Sequence, residues 1–254
     1  MTFHPRGRYT SAKWWSKASW MDFHTFQSGH RKYGQRMGNK EYPIPDSTEE
    51  DNWMYVDSTW AYKPIKPVLD DEPSYEDIPK GLHNVIMQML KPGYPTGYGS
   101  DGTVKAWYQG LEDPGYNQMQ YLSDLMLSFP YFERIPDQSI IVGKTGMKYD
   151  RLIATRGRDY LMVFNYNRNV MKIDLRKISG KKKLLWWFNP SDGAISFIGT
   201  ADNKIISMSP QIEKTDKIND RVLIAIDAEK NYISREQVKI SNQRLADRKR
   251  NLNE

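Results

Sequence analysis

The sequence predicts an α/β portion followed by an antiparallel β-sandwich. Three observations carry this. Residues 1–112 hold short apolar pieces that stop abruptly at polar clusters, with a helical stretch between two of them. Residues 139–227 hold many short strand-like runs at near-regular spacing, separated by polar turns. A run with helical periodicity joins the two.

In the first portion, Trp20 to Phe26 is apolar and aromatic and ends in Gln27-Ser28-Gly29-His30. Ile65 to Leu69 is a second apolar run, ending in Asp70-Asp71-Glu72-Pro73. Asn52 to Tyr62 reads as a short helix between them. An apolar strand that ends in a polar loop is how a parallel sheet presents functional side chains. Asp113-Pro114-Gly115 is a turn signal. After it, Met119, Leu122, Leu125, Met126 and Phe129 recur at helical spacing, and Pro130 ends the helix. These residues are expected in the core.

The strands expected next are Ser139–Val142, Leu152–Arg156, Tyr160–Asn165, Met171–Asp174, Lys183–Phe188, Ile195–Ile198, Ile205–Met208 and Val222–Asp227. Asn189-Pro190-Ser191-Asp192-Gly193 reads as a hairpin turn with Gly193 at positive φ. Ser234 and Gln237 form a possible capping box for a last, mostly polar helix. The domains implied are 1–112, 113–230 and a charged tail, 231–254.

The chain has 254 residues, of which 39% are hydrophobic and 13% aromatic. That is enough apolar content for a core. Aromatic side chains serve as core filler or as platforms that stack on sugar rings or bases. The net charge is +6. Residues 231–254 hold six Lys/Arg against three Asp/Glu, so half of the excess sits in the tail. A solvated tail accounts for this without a nucleic-acid groove, and no nucleic-acid partner is expected. With no cysteine, disulfides and thiolate chemistry are excluded. No apolar run is long enough to span a membrane. The first residues lack the apolar stretch of a signal peptide.

Asp70-Asp71-Glu72 is the strongest local candidate for chemistry. Crowded carboxylates raise one another's pKa, and a carboxylate pair can protonate a leaving group and attack or activate water. A solvated acidic turn ahead of a helix starting near Ser74 accounts for the same residues. The four histidines are His4, His24, His30 and His83, and none pair at a metal-ligand spacing, so no metal or cofactor is expected. His24 and His30 lie in an aromatic, loop-rich stretch that suits hydrogen bonding to sugar hydroxyls. No phosphate-binding glycine loop and no G-x-S-x-G elbow is present.

Several phrases together resemble one family. They are His4-Pro5-Arg6-Gly7-Arg8, Trp20-Met21-Asp22-Phe23, Gln27-Ser28-Gly29-His30 and Lys66-Pro67-Val68-Leu69-Asp70-Asp71-Glu72-Pro73-Ser74-Tyr75-Glu76. They look like successive strand ends of glycoside hydrolase family 140, the apiosidase-like (β/α)8 barrels that act on plant pectin side chains. Asp113-Pro114-Gly115, Phe132 to Gln138, Ala154-Thr155-Arg156 and Trp187-Phe188-Asn189-Pro190 are similar to the collagen-binding-type β-sandwich usually attached to those barrels.

The resemblance implies a partial (β/α)8 TIM barrel, with Glu72 as a catalytic carboxylate at the end of the seventh strand. His4 and His30 would lie near the sugar at the ends of the fifth and sixth strands. Asp71 and Tyr75 would support them, and Gln27 joins the substrate-binding set. The substrate implied is a plant polysaccharide or oligosaccharide, met in the periplasm or outside the cell.

The chain departs from the family pattern in two places. The other catalytic carboxylate belongs to the fourth strand, which would precede Met1. A helix and much of the eighth strand are missing between His83 and Asn84. The expectation is therefore a hydrolase-derived chain that is inactive alone. The competing reading is a non-catalytic sandwich that binds carbohydrate or protein through Trp186, Trp187 and Tyr166. On strand geometry, one of the two tryptophans faces the core and the other solvent. No measurable collagen binding is expected.

Overall fold

The computed structural model describes residues 1–7, 9–28, 52–71, 114–211 and 220–233. The chain divides into two compact units, Met1–Met119 and Gln120–Glu254.

In the first unit, helix α1 (Ala12–Trp15) precedes strand β1 (His24–Phe26). Helix α2 (Asn52–Trp60) precedes strand β2 (Val68–Asp70). β1 and β2 run parallel, with His24 opposite Val68 and Phe26 opposite Asp70. A parallel pair needs a crossover, and α2 lies in the connection. Its Tyr55 is fully buried and stacks on Phe26, centroids 5.2 Å apart and planes 10° apart. Val68 completes this small core, with Met54, Val56 and Trp60 packed around it. Two adjacent parallel strands with an α-helical crossover make one βαβ unit. Among the described residues the parallel sheet goes no further, and no closed barrel is seen.

Residues 2–4 run beside β1. The Thr2 hydroxyl donates to the Phe23 carbonyl, and the Thr25 hydroxyl donates to the Phe3 carbonyl. On the other side, Ser11 N–H donates to the Thr25 carbonyl and Thr25 N–H donates back to the Ser11 Oγ. All three residues of β1 are buried, so both of its faces are covered, as in a parallel sheet, and its two polar side chains, His24 and Thr25, are hydrogen-bonded to Ser11 and the Phe3 carbonyl.

The second unit holds the sandwich. Helix α3 (Pro114–Leu127) starts at the Pro114-Gly115 pair. The turn expected at that pair is instead the first turn of the helix. Proline suits the first helical turn, where its missing N–H costs nothing. Leu122, Leu125, Met126 and Phe129 are buried, as their spacing predicts.

A six-stranded antiparallel sheet follows, in the order β3 (Ile135–Pro136), β4 (Ile153–Arg156), β5 (Tyr160–Asn165), β10 (Arg221–Asp227), β7 (Lys182–Asn189) and β8 (Ala194–Asp202). Strands β6 (Met171–Asp174) and β9 (Ile205–Met208) form a second, two-stranded sheet. Ser139–Val142 is not a strand. Gln138–Ile140 is a short 3-10 turn capped by Asp137, and Ile141 makes a single bridge to Ile173.

The core between the sheets holds Ala154, Leu161, Val163, Leu185, Leu223 and Ala225 from one side. Met171 and Ile173 face them, with Ile206 and Met208 packed behind. Every residue of β5 and β10 is buried. Their second face includes Tyr160, whose ring meets Phe129 at 4.7 Å and Tyr232 at 6.0 Å.

The Asn189–Gly193 turn joins β7 to β8 with Gly193 at φ 68°, as read from the sequence. Asn189 closes it by accepting from Ser191 and donating to Asp192. Trp187 packs on the core between the sheets, and Trp186 lies on the opposite face. Trp186 is half-buried there against Phe197, 4.8 Å between centroids, rather than open to solvent.

Lys183 is fully buried in β7 and donates to the carbonyls of Ser179 and Gly180. Asp227 lies alongside and accepts from Ser179 Oγ at 2.6 Å, which holds its carboxyl below the usual range. Gly180 sits at φ 89°, and a Cβ there would come within 2.1 Å of the Asp227 carboxylate. This network joins the β7 entry to the end of β10.

The tail, the capping box at Ser234 and the junction of His83 with Asn84 lie outside the described residues. No helix among the described residues is long and apolar enough to cross a membrane.

Leu223 is fully buried at the centre of the sandwich core. Leu223→Ala should lower stability by about 2–5 kcal/mol, read from the denaturant midpoint of the second unit's unfolding.

Candidate functional site

Because β1 and β2 are parallel, their C-terminal ends lie on one edge. Phe26 and Asp70 are register partners, and Asp71 N–H donates to the Phe26 carbonyl at 2.9 Å. Gln27, Ser28 and Asp71 therefore leave the sheet side by side. Residues 2–4 bring His4 to the same edge.

The structure separates the members of the acidic triplet. Asp70 is fully buried and points inward. It accepts from Ser28 N–H at 3.3 Å and from Ser28 Oγ at 2.6 Å. Charge-assisted bonds of this kind hold a buried carboxylate in place. Asp70 thus ties the two strand ends together. This pairing is not expected from the sequence. An Asp and a Ser 42 residues apart carry no local signal of contact.

Asp71 turns the other way. Its Oδ1 lies 3.4 Å from His4 Nε2, close enough for an ion pair with the protonated imidazole. His4 is half-exposed at 53%, while Asp71 is 12% exposed. A half-open histidine beside a sheltered carboxylate can donate to, or accept from, a ligand hydroxyl at the mouth of the site. Gln27 flanks Gly7: a Cβ at Gly7 would come 3.3 Å from Gln27 Oε1. The absence of a side chain at Gly7 therefore makes room for the Gln27 amide.

Three of the six predicted site residues, His4, Gln27 and Asp71, thus stand at one sheet edge. The other three, Glu72, His30 and Tyr75, lie outside the described residues. Among the described residues no group of three His, Asp or Glu side chains is placed to hold a metal ion.

His24 belongs to the opposite end of β1. It is 1% exposed, with Nδ1 3.1 Å from Ser11 Oγ and Nε2 buried without a hydrogen-bond partner. Burial, with Lys66 nearby, lowers its pKa from 6.5. It serves the frame of the site rather than its chemistry.

In the sandwich, Tyr166 contacts Tyr149 at 5.4 Å. Trp186 and Trp187 face opposite sides of β7, so the three candidates of the binding-module reading do not form one platform.

The comparisons with known proteins follow this division. Residues 1–85 match the family model described as "Apiosidase-like, catalytic domain". Residues 135–226 match the model described as "Putative collagen-binding domain of a collagenase". No curated protein matches the chain. Among solved structures, one described as "Glycoside hydrolase" is 46% identical, with a TM-score of 0.79, over 92% of this chain. A glycoside hydrolase family 5 protein from Bacteroides vulgatus is 49% identical, also with a TM-score of 0.79 over 92% of this chain. The chain spans 58% and 57% of those two proteins.

The folded His24 imidazole is held neutral, whereas in the unfolded chain it titrates near 6.5. Below that pH the unfolded state binds the proton and the folded state resists it, so stability is full above 6.5 and falls as pH drops toward the lowered value. The urea midpoint of the first unit, followed by tryptophan emission, should therefore decline between about pH 7 and pH 5. His24→Gln should flatten that decline. By sequence and by structure, the chain's relatives are glycoside hydrolases, similar to it in both of its units.

Proposed function

We propose that the chain derives from an apiosidase-like glycoside hydrolase and that its first unit is part of a (β/α)8 catalytic barrel. The observation that carries this is the edge at which His4, Gln27 and Asp71 meet, inside the stretch that matches an apiosidase-like catalytic domain. Catalytic groups of such barrels gather at the C-terminal ends of the strands.

In this reading Glu72 follows directly on the Asp71–His4 contact and acts as one of the two carboxylates that glycosidic cleavage requires. His4 and His30 bind sugar hydroxyls, with Asp71, Gln27 and Tyr75 orienting them. Asp70 is excluded from the reaction by its burial and by its bonds to Ser28. The substrate is a plant cell-wall glycan, with an apiose-containing chain the first choice. The place of action is the periplasm or the cell exterior. These 254 residues alone are inactive, since the partner carboxylate is the family's fourth-strand residue.

The test joins this chain to the N-terminal part of the Bacteroides vulgatus relative, so that the partner carboxylate is supplied. The chimaera should release sugar from the glycan. Glu72→Gln in it should lower kcat by about 10²–10⁴-fold with little change in KM. Hydrolysis at the parent rate by that variant would remove Glu72 from the reaction. Hydrolysis by the 254-residue chain unaided would remove the claim of inactivity.

The second reading, a sandwich that acts as a binding module, is favoured by the match of residues 135–226. Fibrillar collagen should nevertheless fail to retain the chain in a sedimentation assay. Retention that saturates with collagen would favour this reading over the first.

A further inference from the structure

The most exposed large apolar side chain among the described residues lies where α3 gives way to the sandwich. Phe132 is 99% exposed. Its ring meets Tyr131 edge-on at 5.6 Å, and Tyr131 is itself 40% exposed. Leu127, 75% exposed, ends α3 before them. Ile135, 38% exposed, opens β3 after them. A phenylalanine this open offers about 200 Å² of apolar surface. With its three neighbours it reaches the few hundred Å² at which a patch marks a contact surface.

Charge narrows what it contacts. Glu133 is exposed, and its Oε1 accepts the Arg158 backbone N–H at 3.1 Å. Arg134 is half-buried, with its guanidinium 5.1 Å from the Tyr131 ring centroid and donating to Met126 Sδ. Burial holds the Arg134 guanidinium below its ordinary pKa. Among the described residues neither Glu133 nor Arg134 pairs with an oppositely charged side chain. A partly desolvated cation gains from a carboxylate brought to it. An acid and a base side by side and unpaired are what a two-fold contact needs. In such a contact the same patch occurs on both partners, so Glu133 of one copy meets Arg134 of the other, and the reverse pair follows by symmetry. A stable complex covers about 800 Å² on each partner, and this patch falls short of that, so the contact is weak.

We infer that Leu127, Tyr131, Phe132 and Ile135, with Glu133 and Arg134, form a two-fold docking surface for a second copy of this chain. The apolar side chains cover one another, and the reciprocal Glu133–Arg134 pairs set the register. The surface belongs to the second unit, and the inference stands whether or not the first unit is catalytic.

The test is sedimentation velocity of the 254-residue chain. Between about 2 and 200 µM the sedimentation coefficient should rise as monomer gives way to dimer, with a Kd on the order of 10–100 µM. Phe132→Ser should weaken association about tenfold or more. Its ring is almost wholly in solvent, so this variant keeps the fold and decides the matter even if a charge variant unfolds. Glu133→Arg and Arg134→Glu should each weaken association about threefold to tenfold at low salt. The Glu133→Arg/Arg134→Glu double exchange should restore it to within about threefold of the parent. Phe197→Ser removes another exposed ring, on β8, and should associate like the parent. A chain that stays monomeric at about 200 µM, unchanged association in Phe132→Ser, an equal loss in Phe197→Ser, or a folded double exchange no tighter than the single variants would each overturn the proposal.

Discussion

Pairing of β10 between β5 and β7 is the constraint on which the sandwich depends. β10 contributes a full ladder to each neighbour, Arg221 to Ile226 against β5 and Val222 to Asp227 against β7. All seven of its residues are buried, so no polar side chain inside the strand can choose its register by facing water. The register is held instead by the ends. Asp227 bonds to Ser179 beside the buried Lys183, and Asp227 N–H donates to the Asp159 carbonyl. Asp159 in turn accepts from Tyr232 at 2.8 Å. Polar groups at the strand termini therefore place an apolar strand that would otherwise be free to slip.

The same logic governs the first unit on a smaller scale. β1 and β2 are three residues each, too short to specify themselves. Stacking of Tyr55 on Phe26 fixes the crossover helix over the pair. The Ser28–Asp70 bonds then lock the strand ends. With Asp70 committed inward, Asp71 is left facing His4. The geometry of the candidate site is thus a consequence of one buried carboxylate finding two donors. That distinction matters chemically: adjacent aspartates in sequence have opposite duties, one structural and one at the mouth of the site.

Much of this was legible in the residues. The strands of the sandwich, the hairpin at Asn189–Gly193 and the helix before Phe129 follow from periodicity and turn chemistry. The strand expected at Ser139–Val142 is absent because a short apolar run does not distinguish a strand from a capped 3-10 turn, and Asp137 decides the matter by accepting from Ser139. Pro114-Gly115 opens a helix where a turn is expected, because the same dipeptide serves a turn or the first turn of a helix. At the site, His4, Gln27 and Asp71 were named from a resemblance of phrases. No local pattern would have brought His4 and Asp71 together across 67 residues of chain.

The sequence by itself determined the two-part organisation, the apolar runs that become strands and the residue types available at the strand ends. These follow from side-chain periodicity and backbone preferences, which act over a few residues. Only the tertiary structure decided that Asp70 turns inward to Ser28 while Asp71 meets His4, and that Trp187 rather than Trp186 is the one that packs on the core between the sheets. Those outcomes depend on which groups lose water together when distant segments meet, and that competition is settled by packing of the whole unit.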